Sequence, residues 1–247
     1  MTVPLGNFVT NQPMSSFDDS SISLGQFSGQ VRLFPLPNLV VFPHVVQPLH
    51  IFEPRYVDLL TEALETDRLI AMVLLEPGWE RDYGGRPAIS PVACLCKIIS
   101  HQPADDGRHN VLLQGVRRAA IRRELPMSQA FRRAEVDLLD DFYPSTTAAK
   151  RPQLQRTLVD RARTLMPDNS AIQRQLDELL ASQISLGMLT DIFAYTLGLS
   201  LTVKQRLLAE WNVDRRAHQM IDHFTRLLDK TGDRPDRSPY PPPFSLN

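Results

Sequence analysis

Val31-Arg32-Leu33-Phe34-Pro35-Leu36-Pro37-Asn38-Leu39-Val40-Val41-Phe42-Pro43-His44-Val45-Val46-Gln47-Pro48-Leu49-His50-Ile51-Phe52-Glu53-Pro54-Arg55-Tyr56 gathers the signals that decide the fold. Val31 to Leu36 reads as a strand, Pro37-Asn38 as a turn, and Val40-Val41-Phe42 as a second strand-like run. Val45 to Phe52 is apolar but broken by Pro48. A proline cannot donate to a ladder, so this run belongs at a sheet edge or a bulge. Pro54 suits the first position of a helix, and Tyr56, Leu59, Leu60, Ala63 and Leu64 then fall on one face.

Working outward, Leu69 to Leu75 and Val92 to Ile99 are continuous apolar runs of the length expected for buried strands. Asp105-Asp106-Gly107 marks a turn, and Val111-Leu112-Leu113 reads as the return strand of a hairpin. Ala119 and Ile121, then Phe131, Ala134, Val136 and Leu138, continue the strand series. After Tyr143 the period becomes helical. Leu154, Leu158, Ala162 and Leu165 form one stripe, and Ile172, Leu176, Leu179 and Leu180 a second. Met188 to Leu199 is apolar on most sides, as in a central helix. Thr202 and Gln205 fit a capping box for the next short helix. A last helix carries Ala217, Met220, Ile221, Phe224, Leu227 and Leu228, with its end signalled by Lys230 and Gly232. The fold class expected is α+β. Residues 29–142 form a β-rich domain with one inserted helix and residues 143–230 a helical domain. Residues 1–28 are expected to be mostly disordered, as is the Pro-rich tail 231–247.

Composition narrows the function. The 27 Lys+Arg and 28 Asp+Glu of the 247 residues nearly cancel, which disfavours a protein built to neutralise a phosphate backbone. Its lysines are Lys97, Lys150, Lys204 and Lys230, and none follows a glycine-rich turn as a nucleotide-binding P-loop requires. No G-x-S-x-G nucleophile elbow is present. No apolar run approaches the ~18 residues of a membrane span, and the first 28 residues lack Lys, Arg and a signal-type apolar core. A cytoplasmic location is expected.

Three segments carry a resemblance to a known family. They are Phe34-Pro35-Leu36-Pro37 with Val41-Phe42-Pro43 and Pro48 to Tyr56; Asp106-Gly107-Arg108 with Val111 to Arg118; and Leu189 to Ile192 with Lys204 to Leu208. Together they resemble the N-terminal, substrate-binding domain of the Lon proteases over roughly residues 30 to 230. The resemblance implies a PUA-like β-barrel followed by a C-terminal α-helical bundle. The missing P-loop and the Pro-rich tail, not the resemblance, lead to the expectation of a stand-alone form without the ATPase and protease modules, hence no enzyme, no catalytic residue and no cofactor. The resemblance also implies a polypeptide or protein partner in proteolysis or protein quality control. Pro43, Pro48, Glu53, Arg55, Tyr56, Gly115 and Arg118 are its structural motif residues.

The residues themselves suggest where contact occurs. The loop Glu76 to Pro87 carries Trp79 and Tyr83 beside glycines and can present adaptable aromatic area, or pack on the barrel through its own Trp. Phe42 and His44 are further polypeptide-binding candidates. Cys94 and Cys96 share a strand face and read as core thiols. With His101 and His109 they make no familiar zinc spacing, so no metal is expected. The pairs Arg117-Arg118, Arg122-Arg123 and Arg132-Arg133 raise RNA or ribonucleoprotein binding as the alternative. Alternation puts Arg118 and Arg122 in solvent, with ion pairs to Glu124, Glu135 and Asp137 neutralising the face. Glu53 is expected to favour the helix N-terminus with its carboxylate and to pair with Arg118.

Overall fold

The computed structural model describes residues 27–104, 107–166, 170–182 and 184–230. The expected terminal segments therefore lie almost wholly outside the described residues, as do Asp105 and Asp106 of the turn. The strands are β1 (Gln30–Leu36), β2 (Val46–Ile51), β3 (Leu69–Leu74), β4 (Val92–Pro103), β5 (His109–Glu124) and β6 (Arg132–Leu139), with α1 (Pro54–Glu65) between β2 and β3. The helices α2 (Arg151–Leu165), α3 (Ser170–Ala181), α4 (Leu186–Thr196), α5 (Leu201–Ala209) and α6 (Val213–Lys230) follow. The protein is α+β, with a mixed sheet ordered β2-β5-β4-β3-β1-β6 in which β6 also pairs with β5. β1 and β3 are parallel; every other pairing is antiparallel.

Period two splits most of these strands between two cores. Leu33, Ala71, Leu95, Ala119 and Ala134 belong to a cluster enclosed by the sheet, where small side chains suit a narrow interior. The alternate residues Phe34, Met72, Cys94, Cys96 and Leu113 face the other way, against Tyr56, Leu59 and Leu60 of α1 and Leu189, Phe193 and Phe224 of the helices. Burial on both faces is why Leu69 to Leu75 and Val92 to Ile99 show no polar alternation. The strands and the helices share this second core.

Several local expectations change. Val40-Val41-Phe42 is no strand but a buried connection. It runs so close to β5 that a Cβ on Gly115 would collide with the Phe42 carbonyl oxygen. Ser200, not Thr202, caps α5, its Oγ accepting from the Val203 N–H at 3.4 Å. Gln205 instead donates to the Val92 carbonyl at 2.8 Å. Pro54 does open α1, but the Glu53 carboxylate makes no capping bond; its backbone carbonyl accepts from Tyr56 and Val57. Pro48 lies in β2, which pairs with β5 alone.

Candidate functional site

Trp79 and Tyr83 lie on a short turn that begins after Gly78, which holds φ at +92°. Their rings meet edge-on at 5.3 Å. The Tyr83 hydroxyl donates to Glu53 at 2.8 Å, and Arg55 forms an ion pair with the same carboxylate at 2.8 Å. The Arg55 guanidinium lies 4.7 Å from both the Tyr56 and Tyr83 ring centres. Burial, then the Glu53 carboxylate, pushes the Tyr83 pKa up. The loop is thus pinned to the start of α1 by a tyrosine–carboxylate–guanidinium chain. Tyr56 is itself anchored, stacked on Phe34 at 4.2 Å and donating to the Pro35 carbonyl at 3.2 Å.

Phe42 is fully buried in the core and offers no surface to a ligand. His44, half-buried at φ +67°, lines a cleft of about 390 Å³ with Pro43, Val116, Asp141, Tyr143 and Met188. Cys94 and Cys96 are buried thiols, and burial raises the Cys94 pKa well above its ordinary value. His101 and His109 pair with each other, Nε2 to Nδ1, at 2.9 Å. Among the described residues no group of three or more His, Cys, Asp or Glu could hold a metal ion.

Arg118 differs most from expectation. It is only 2% exposed, because the outside of this strand is covered by helices rather than by water. It donates to Asp191 through both terminal nitrogens, to Asp141 at 3.2 Å and to the Leu208 carbonyl at 3.0 Å. Arg216 donates twice to Asp141 at 2.9 Å and once to Thr190 at 2.8 Å, and lies 3.6 Å from Asp191. Glu53 therefore does not pair with Arg118; two aspartates from β6's end and α4 do. Of the other paired arginines, Arg122 meets Asp137, Arg123 Glu135 at 2.6 Å and Arg132 Glu124 at 2.6 Å as expected, whereas Arg117 pairs with Asp140 and Arg133 with Glu62.

Two exposed apolar features were not singled out from the sequence. Phe142 and Trp211 sit 5.2 Å apart, held by backbone bonds from Phe142 to Trp211 and from Val213 to Phe142. Val46, Ile99 and Leu112, from β2, β4 and β5, are 40%, 43% and 38% exposed. Alternation puts Leu112 on the face opposite Val111 and Leu113, but the continuous apolar runs of β3 and β4 are buried on both faces, so no sequence signal marked Leu112 as exposed.

Residues 30–226 match the substrate-binding domain of the ATP-dependent protease La (Lon). The Lon protease of Cytophaga hutchinsonii is 23% identical over 213 residues, 86% of this chain and 26% of that protein. The Lon protease of Aquifex aeolicus is 27% identical over 214 residues, 81% of this chain and 25% of that protein. The chain thus spans about a quarter of the length of these relatives. Among solved structures, a Lon N-terminal domain protein from Xanthomonas campestris aligns at TM-score 0.53 and 23% identity, covering 78% of this chain and 97% of that one. The N-terminal domain of a Mycobacterium avium complex Lon protease aligns at TM-score 0.60 and 16% identity, covering 79% and 98%. These likenesses concern the fold. With its fold aligned to both and its sequence matched from residue 30 to residue 226, this chain belongs to the Lon substrate-binding domain family.

Proposed function

We propose that this protein recognises polypeptide without transforming it, as a substrate-recognition or adaptor module in proteolysis or protein quality control. One observation carries the reading: a member of a substrate-binding family leaves Val46, Ile99 and Leu112, drawn from three strands, open to solvent. The absence of a P-loop lysine anywhere in the sequence favours binding over ATP-driven work. The reading includes a PUA-like barrel over 29–142 and a helical bundle over 143–230. Two buried free thiols agree with a reducing, cytoplasmic setting. Trp79, Tyr83 and His44 are proposed as secondary contacts; Phe42 is withdrawn on its burial.

The test is binding of the full chain to a permanently unfolded, carboxymethylated protein and to its native form, followed by fluorescence anisotropy across a salt series. Preference for the unfolded form, retained at moderate salt, supports the reading. The RNA alternative lacks support from the comparisons, and its basic pairs are largely occupied by carboxylates. Binding to single-stranded RNA that falls steeply with salt, with none to unfolded protein, would replace one reading by the other.

A further inference from the structure

We propose that polypeptide docks on the solvent-exposed face shared by β2 and the hairpin-end halves of β4 and β5. We further propose that this face selects extended segments bearing large apolar side chains next to a carboxylate. The proposal rests on the polypeptide reading above and supplies its surface and its chemistry. The register sets the face in rows. Val46 lies opposite Gln114, and Gln114 opposite Lys97; Pro48 lies opposite Leu112, where a bulge sets both Ile99 and Ser100 against that one residue. His50 lies opposite Asn110, and Asn110 opposite Gln102. Leu49, Ile51, Val111 and Leu113 point the other way into the core, so the exposed side chains are held on a rigid sheet.

The open edge of β2 excludes one way of binding. The Gly115 N–H donates to the Val45 carbonyl at 2.8 Å. Counting on in twos makes Gln47, Leu49 and Ile51 the bonded positions of the ladder. Val46, Pro48 and His50 then address their backbones to the open side, where Pro48 has no N–H to give at the middle. A docking chain cannot complete a ladder there and must be held by side chains instead.

Charge identifies the occupant. Residues 46–51, 97–103 and 109–114 contain no Asp or Glu, although acidic residues are as numerous as basic ones in the whole chain. Lys97, half-buried at the end of the Val46 row, forms no ion pair among the described residues, whereas Arg122, Arg123 and Arg132 each hold a carboxylate. β3 flanks Lys97 through Leu69, and the nearby Asp67 carboxylate is already held by Arg32. An apolar strip beside an unpaired ammonium, on three strand segments that carry no acid, is complementary to an apolar segment with an adjacent carboxylate.

The experiment titrates the full chain with two fluorescein-labelled peptides that share an apolar core and differ in carrying Glu or Lys beside it. The Glu peptide should bind at least about fivefold more tightly, and K97E should reverse that preference. The double variant Leu112→Ser, Ile99→Ser should weaken both peptides about tenfold. Its melting temperature should stay within about 2 °C of wild type, because both side chains are exposed. The wild-type peptide preference requires no variant to fold. Unchanged binding by the double variant, or equal affinity for the two peptides, overturns this surface while leaving polypeptide binding intact. Failure of the wild-type chain to bind either peptide or the unfolded protein overturns both.

Discussion

Removing the Asp191 carboxylate should cost this protein more stability than removing any of its surface ion pairs. Asp191 and Arg216 are 0% exposed and Arg118 is 2% exposed. In the native arrangement two guanidiniums face two carboxylates, with the Leu208 and Gly187 carbonyls and the Thr190 hydroxyl accepting further donors. D191A leaves Asp141 alone against both arginines, so one buried positive charge is uncompensated. Breaking such a pair from one side costs about 3–5 kcal/mol, and a chain of this size loses about 2–4 °C per kcal/mol, so the melting temperature should fall by about 6–20 °C.

Urea unfolding gives a second measure, as a lower midpoint at unchanged slope. E53A provides the contrast. It removes a half-exposed pair with Arg55 and one tyrosine hydrogen bond, for about 1–2 kcal/mol. If D191A melts within 2 °C of wild type, or E53A is the more damaging of the two, the strands and helices are not locked together through this charge cluster.

Three further expectations are independent of that cluster. G115A should lower the urea midpoint by the equivalent of about 1–3 kcal/mol, since its methyl meets the Phe42 carbonyl; an unchanged midpoint would show that the buried connection yields freely. Hydrogen bonds from Arg151 hold the Asp214 carboxyl below its ordinary range. A depressed native pKa adds stability that is present above the unfolded value and lost as pH falls through the native one. The gap in melting temperature between wild type and D214N should therefore be widest near neutrality and close below about pH 4. P48V would restore an outward N–H at the middle of β2 and should promote self-association, read as a concentration-dependent mass by light scattering; a strictly unchanged mass would mean that Pro48 does not guard that edge.

Much of the fold was legible because local rules acted without competition. Pro54 opened α1, Pro48 marked an edge, and the continuous runs at Leu69 and Val92 proved to be strands buried on both sides. Arg118 was misread because alternation reports only that a side chain leaves the inner face of a sheet. What covers the outer face is a long-range fact: the Asp191 partner lies 73 residues along the chain. Phe42 failed for a similar reason. A phenylalanine between Val41 and Pro43 is equally consistent with a surface aromatic and with a core anchor, and the close approach of its carbonyl to Gly115 decides the matter. The Tyr83–Glu53 bond spans 30 residues, beyond any periodicity that a single sequence displays.

The same long-range packing explains why the exposed apolar face lies where it does. The helices cover the outward faces of Cys94, Cys96 and Arg118, and they do so with charge pairs as well as apolar contact. β5 pairs with β6 only from Arg118 onward, so its first half is flanked by β4 and β2 instead. There the face that would continue the enclosed core has no facing strand, and Val46, Ile99 and Leu112 stand open beside Lys97. Apolar exposure of this kind is unfavourable for an isolated chain, yet it is carried on strands whose other face supplies Leu49, Val111 and Leu113 to the core. The arrangement keeps the face rigid without covering it. Replacing Leu112 and Ile99 by polar residues should therefore leave folding intact while weakening binding about tenfold, a separation of effects that a merely incomplete core would not allow.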